Sequence, residues 1–374
     1  DSPFMVFSTT LFLFVFLPLV VGLHAVVKWT PLRNLILLFA SLVFYTWGEM
    51  VYVWVLLLSV SINYVFGLLL HFAKQSHWRW LSLVAGVTGN ILILLFFKYA
   101  GFFANNLAEL IPSLEPMASW ASDIHLPLGI SFFTFQAITY LVDIHRGEAP
   151  VQKSLPKLML YITLFPQLVA GPIVRYKLIA KRLSKRWITL RGFADGAERF
   201  TIGLAKKVLI ANNAGLAADT IFELPAGQVT TPLAWVGVIA YTIQIFFDFS
   251  GYSDMAIGIG RMLGFRFPEN FNYPYIAKSI QEFWRRWHMT LSLWFRDYLY
   301  IPLGGNRKGN WRTAFNLVLV FVLCGLWHGA SWNFLIWGLF HGVFLVAERG
   351  RFGALLRNFP TLFRRGYTLL VVIT

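Results

Sequence analysis

The chain's 374 residues are 57% hydrophobic and 17% aromatic but only 13% charged, against about 25% charged in an average soluble domain, which excludes the water-soluble globular class. Thirty-two lysines and arginines against 17 acids give a net charge of +15. These cations fall between long apolar runs, where they orient membrane segments and meet anionic lipid headgroups, so no nucleic-acid partner is expected. One cysteine, Cys324, excludes an internal disulfide and a cysteine-built metal cluster.

Residues 1–4 read as a remnant before a start at Met5, and no cleavable leader is expected, because nothing cationic precedes the first apolar run. Runs at 6–27, 32–47, 51–70 and 80–97 are each candidates to span about 30 Å of hydrocarbon. With the first run directed inward, Lys28, Arg33, Lys74 and Arg79 are cytoplasmic and the loop at Glu49 is external. The stretch 100–125 has Glu109, Glu115 and Asp123 but no lysine or arginine, and is expected to be a long external loop. Residues 126–144 return the chain to cytoplasmic Arg146, Lys153 and Lys157.

Simple alternation then fails. If 158–173 crossed, the most basic stretch of the chain, from Arg175 to Arg191, would lie outside. Pro166 and Ala170-Gly171-Pro172 predict instead a re-entrant segment that dips in and turns back. Residues 200–222 are expected to cross outward despite Lys206 and Lys207, and 232–247 to return. From 248 to 312 the chain is expected to stay mostly on the cytoplasmic side, with Asp248 and Asp254 in structural ion pairs and Asn270 among its turn residues. Trp284, Trp287, Leu291, Trp294, Phe295 and Tyr298, with His288 on the same stripe, predict an interfacial amphipathic helix. A turn at Gly304-Gly305-Asn306-Arg307 leads to a rising segment at 315–328, a very short link at 329–331 and a descending one at 332–347. An apolar run opening at Tyr367 suggests that the natural chain continues past Thr374. Residues 5–374 thus read as one all-α polytopic membrane domain of about ten segments. No internal repeat is evident, which counts against many secondary transporters.

Two histidines stand out, His288 in Trp284-Arg285-Arg286-Trp287-His288 and His328 in Leu326-Trp327-His328-Gly329-Ala330. Imidazole titrates near neutrality and is costly to bury in hydrocarbon, so its retention points to proton chemistry, with a satisfied packing histidine as the alternative for each. Cys324 lies one turn before His328, but a packing role fits it better than a nucleophilic one. His341, thirteen residues after His328, is a candidate to share its cavity. The other histidines lack metal-like spacing, and no metal site is expected.

The stretches Met5-Val6-Phe7-Ser8, Leu126-Pro127-Leu128-Gly129-Ile130-Ser131-Phe132, Phe165-Pro166-Gln167-Leu168-Val169-Ala170-Gly171-Pro172 and Phe247-Asp248-Phe249-Ser250-Gly251-Tyr252-Ser253-Asp254, with Glu282-Phe283-Trp284-Arg285-Arg286-Trp287-His288, Phe295-Arg296-Asp297-Tyr298 and Leu326-Trp327-His328-Gly329, run in order along nearly the whole chain. In these it resembles the membrane-bound O-acyltransferase (MBOAT) family, and within it the bacterial branch that acetylates alginate or peptidoglycan or D-alanylates teichoic acid. The resemblance implies an MBOAT fold with re-entrant elements and interfacial helices in the bacterial inner membrane. It implies His328 as the essential catalytic residue and His288 as the second signature position. It also implies acetyl-CoA as donor, an exported polysaccharide as acceptor and a periplasmic SGNH-hydrolase-like acetyltransferase as partner. A polyanionic donor suits Lys278, Arg285, Arg286 and Arg296, which otherwise meet lipid headgroups. D-alanyl transfer to teichoic acid, and a transporter using His288, His328 and Asp254 as an ion relay, are the competing readings.

Overall fold

The computed structural model describes residues 5–73 and 75–373; the expectations placed on residues 1–4, Lys74 and Thr374 lie outside the described residues. Among those described, every regular element is helical. Thr30–Phe72, Ser76–Leu110, Thr231–Met262 and Gly309–His328 are long and apolar enough to cross a membrane, and the first of these contains two successive helices, Thr30–Glu49 and Val53–Phe72. The outer surface carries large apolar side chains such as Phe14 (76% exposed) and Phe39 (71% exposed), which only a lipid solvent favours. Inside, polar side chains join helices: Asn63 donates to Asn90 at 2.9 Å, and Ser59 donates to Asn90 at 3.1 Å. The chain is a multi-pass, all-α membrane protein.

Several expectations are corrected. The 100–125 stretch is not a loop. The Ser76–Leu94 helix runs on through a wide π turn, Leu95–Tyr99, into Ala100–Leu110, and Glu115–Ser122 folds back on it with Ala104 and Ala108 packed against Ala118 and Ala121. Absence of proline before Pro112 leaves nothing to stop that helix earlier.

The segment expected to cross outward begins at Leu190 rather than at residue 200, and the helix paired with it, Thr231–Met262, does not end at residue 247 but carries Asp248, Gly251 and Asp254. Glycines explain both extensions. A Cβ on Gly203 would lie 2.6 Å from the carbonyl oxygen of Gly251, and one on Gly196 would lie 2.7 Å from that of Gly258, so the backbones meet directly. Ion pairs then span the contact: Asp254 takes Arg199 and Lys206, each at 2.6 Å, and Asp248 takes Lys207 at 2.8 Å.

In the 158–173 region two short helices, Leu155–Thr163 and Phe165–Leu168, are followed by non-helical backbone. Leu158, Tyr161, Leu164 and Phe165 are fully buried, so the irregular backbone is enclosed by protein. Tyr161 Oη donates to the Val174 carbonyl at 2.9 Å, and Gln167 Nε2 donates to that of Tyr161 at 2.6 Å. The 284–298 stripe is not one helix: Ile280–Trp284 and Met289–Phe295 are separated by a bend, and the second packs inside the protein, with Trp294 stacked 3.6 Å from Phe135. Gly309–His328 and Trp332–Arg349 form a tight hairpin, because Gly325 and Gly338 let the two backbones touch.

Candidate active site between two cavities

His288 sits at the bend. Ser279 caps the preceding helix by accepting the Glu282 N–H at 3.0 Å, and Ser292 Oγ donates to the Trp284 carbonyl at 2.9 Å, tying the two short helices together. The bend requires φ of +42° at residue 288, a left-handed conformation that histidine adopts more readily than most side chains. Its ring is 1% exposed, lies edge-on to Phe249 at 4.7 Å and stands 6.1 Å from Trp327.

One nitrogen of that ring has a fixed partner. His288 Nδ1 is 3.1 Å from Asn270 Oδ1, which also accepts from the Thr290 N–H at 3.3 Å and from Thr290 Oγ1 at 2.8 Å. Asn270 Nδ2 donates to Ser253 Oγ at 3.0 Å, and Thr290 Oγ1 accepts the Ile173 N–H at 3.0 Å. A backbone N–H can only donate, so the Asn270 atom facing His288 is the amide oxygen and Nδ1 carries the proton. In the neutral ring Nε2 is then a bare lone pair, and it is buried with no hydrogen-bond partner among the described residues. Motifs far apart in the chain, around Pro172, Ser253 and His288, meet through this one amide.

His328 ends the Gly309–His328 helix. The residue is exposed at the helix end, while Trp327, Trp337 and Phe334 crowd its ring at 5.0, 5.1 and 6.3 Å. Trp327 touches both imidazoles, and the two are close enough to interact electrostatically. The last-turn carbonyls, orphaned by the end of the helix, are taken up from another element: Tyr99 Oη donates to Leu326 at 2.6 Å, while Lys98 Nζ donates to Trp327 and to Ser131 Oγ, the latter at 3.1 Å. His341 lies on the far side of the same indole, 5.0 Å from Trp337, and 5.0 Å from Trp284.

Two cavities open near these rings in sequence, though neither histidine is among the lining residues of either. One of about 600 Å³ is lined by Arg285, Arg296, Arg349, Met289 and Cys324, so it reaches the residue after His288 and the turn before His328. A second of about 340 Å³ is lined by Lys98, Asn105, Asn106, Ser122 and Ala330. The first touches the Gly309–His328 helix at Leu317, Val320, Phe321 and Cys324, and the second includes Ala330, beyond its end.

Of the basic residues expected to meet the donor, Arg285 and Arg296 line the larger cavity. Arg286 is engaged by Glu282 at 2.9 Å and by the Asn272 carbonyl, and Lys278 lies outside both linings. Arg349, Lys98 and Asn270 were not among the expected site residues. Lys98 carried a signal, being a cation at the end of an apolar run with no acid nearby in sequence, whereas Asn270 was indistinguishable from a turn residue. No group of three or more potential metal ligands occurs among the described residues.

Residues 41–373 match the model of the MBOAT, membrane-bound O-acyltransferase, family. The chain is 47% identical over 348 residues to the probable alginate O-acetylase AlgI of Azotobacter vinelandii, covering 92% of this chain and 69% of that protein. It is 40% identical over 380 residues to the peptidoglycan O-acetyltransferase of Helicobacter pylori, covering 92% and 70%. It is 36% identical over 265 residues to the teichoic acid D-alanyltransferase of Bacillus subtilis, covering 65% of each. The chain therefore spans roughly two thirds of the length of these relatives.

Proposed function

Because the chain belongs to the membrane-bound O-acyltransferase family, we propose that it is an inner-membrane O-acetyltransferase that passes acetyl from cytoplasmic acetyl-CoA toward a hydroxyl of an exported polysaccharide. The observation that carries this reading is a pair of imidazoles on either side of Trp327, 6.1 and 5.0 Å from its ring, with an arginine-lined cavity reaching Met289 and Cys324 and a smaller one reaching Lys98 and Ala330.

Arg285, Arg296 and Arg349 would hold the phosphates of the donor by charge-assisted hydrogen bonds, with the thioester reaching toward Met289 and Cys324. The acceptor hydroxyl would enter beside Lys98 and Ala330. His328 takes the hydroxyl proton as the oxygen attacks the thioester carbon; the C–S bond breaks, and the proton passes through Nε2 of His288 to the departing sulfur. Asn270 keeps that nitrogen free for the relay. A periplasmic SGNH-hydrolase-like acetyltransferase would complete delivery to the polymer. Identity to the alginate and peptidoglycan O-acetyltransferases above that to the teichoic acid D-alanyltransferase supports acetyl over D-alanyl as the group moved.

The test is purified protein in liposomes supplied with acetyl-labelled acetyl-CoA. Free CoA together with label on an acceptor supports the transferase. Intact donor accumulating inside would make the chain a transporter; no transfer from acetyl-CoA, with transfer in a parallel assay supplied with a labelled D-alanyl carrier-protein thioester, would make it a D-alanyltransferase.

A further inference from the structure

A third cavity lies away from the histidines and has a different chemistry. It measures about 840 Å³, within the range of small-molecule sites, and forms where the Tyr176–Ser184 helix, the segment 185–189 and the loop after Met262 come together. Lys181, Arg182, Lys185, Arg186, Arg261 and Arg266 line it against a single carboxylate, Asp195, beside a further lysine, Lys177, that Glu148 holds at 2.5 Å. Among the described residues only Arg261 of these six has an acid within 4 Å, Glu269 at 3.7 Å.

Cations crowded in this way repel one another unless an anion joins them. Burial, and then the neighbouring charge of Arg266, lower the Arg182 guanidinium from its ordinary value. Arg186 is the floor of the cluster. It is 4% exposed, lies over the Phe265 ring at 4.7 Å, donates to Asn34 Oδ1 at 2.5 Å and pairs with His24 at 3.1 Å, yet its Nε is buried with no partner. Gly264 sets the wall: its φ is +83°, and a Cβ there would lie 3.2 Å from the Trp187 carbonyl oxygen. Arg182 donates to the Gly264 carbonyl at 3.1 Å, so the guanidinium is held by the frame rather than free in solvent. The lining residue Trp187 is 76% exposed, and Leu190, next along the chain from the lining residue Thr189, is 87% exposed, as at a membrane interface.

We propose that this cavity is a binding site for a phosphate-bearing anion, separate from the catalytic pair. Phosphate oxygens offer enough acceptors to satisfy several guanidinium and ammonium donors at once, and a phosphoryl group at this depth allows an attached acyl chain to lie along Trp187 and Leu190. The same chemistry is presented by an anionic phospholipid headgroup and by a soluble phosphate compound. The site is independent of acyl transfer and stands or falls without it.

The experiment compares wild type with Lys181→Gln/Arg182→Gln/Lys185→Gln/Arg266→Gln by native mass spectrometry, in nanodiscs of phosphatidylcholine with and without phosphatidylglycerol, and by titration with inorganic pyrophosphate in phosphatidylcholine alone. A charge-keeping control, Lys181→Arg/Lys185→Arg, guards against misfolding. Preferential retention of phosphatidylglycerol by wild type and control, falling about tenfold in the quadruple variant, identifies a lipid site. Pyrophosphate binding with the same dependence identifies a soluble ligand. Equal retention of phosphatidylcholine and phosphatidylglycerol by wild type, with no pyrophosphate binding, overturns the proposal even if the quadruple variant does not fold.

Discussion

Asn270 Oδ1 and His288 Nδ1 lie 3.1 Å apart, and this contact determines which nitrogen of a buried imidazole can take a proton. Replacing Asn270 with alanine strands three buried donors, at His288 Nδ1 and at the Thr290 N–H and hydroxyl. We expect Asn270→Ala to lower acetyl transfer at least about 100-fold and to lower the melting temperature, since each orphaned donor costs about 1–3 kcal/mol. Ser253→Ala removes only the partner of the amide nitrogen and should lose far less activity. Equal activity of Asn270→Ala and wild type would remove the relay role of His288.

His328→Ala should abolish acetylation of the exported polymer in cells, a loss of about 10²–10⁴-fold if the ring is the general base. Wild-type acetylation in that variant would refute the assignment. Cys324→Ser, in contrast, should keep most activity, because Cys324 lines the donor cavity without an essential chemical role. Near-total loss there would instead indicate an acetyl-cysteine intermediate.

Among the described residues Arg285 has no carboxylate partner, and Arg349 donates a hydrogen bond to the Tyr300 hydroxyl at 3.2 Å. Neutralising either one should raise KM for acetyl-CoA about tenfold while kcat changes little, the pattern of lost ground-state binding. Steady-state kinetics in detergent would check this, and a fall in kcat at unchanged KM would place the donor elsewhere.

Acid should weaken the cytoplasm-directed region in a defined direction. Burial raises the Asp297 carboxyl, but the hydrogen bond from Arg296 and the charge of Arg175 outweigh it and hold the group below its ordinary value of 3.8. Glu282 is likewise held below 4.5, with burial opposed by the Lys278 N–H and by Arg286. Groups depressed on folding contribute stability above their unfolded values, near about pH 4, and lose it as pH falls through the folded ones. The melting temperature should therefore drop on acidification below about pH 4, and Asp297→Asn should flatten that drop; an unchanged slope would contradict the pairing.

Gly325→Ala should be poorly tolerated. The added carbon would approach the Phe334 carbonyl oxygen to 2.1 Å, and that atom belongs to backbone that cannot swing away. A destabilisation of about 1–3 kcal/mol is expected, read as reduced yield of folded protein in detergent.

The membrane class and the hairpin that turns after His328 were legible in the sequence, because long apolar runs broken by short polar links are local signals. Helix continuity was less so. Asp248 and Asp254 read as the end of a membrane segment, since their partners Lys207 and Arg199 lie on a different helix and about 40–55 positions away. The stripe at 284–298 suggested one amphipathic helix, but the Asn270 network and the left-handed residue at His288 favour a bend that periodicity cannot encode. Lys98 and Arg349 join their cavities through tertiary packing alone.

The pairing of Arg199 and Lys206 with Asp254, and of Lys207 with Asp248, bears on how the chain is made. A translocon presented with the rod beginning at Leu190 would release three unmatched cations toward lipid, each resisted by about 2.5–3.5 kcal/mol at mid-depth. Release is cheaper once the following helix has been synthesised and its two acids have docked. The two rods are thus coupled electrostatically, each carrying the charges that make the other tolerable in lipid.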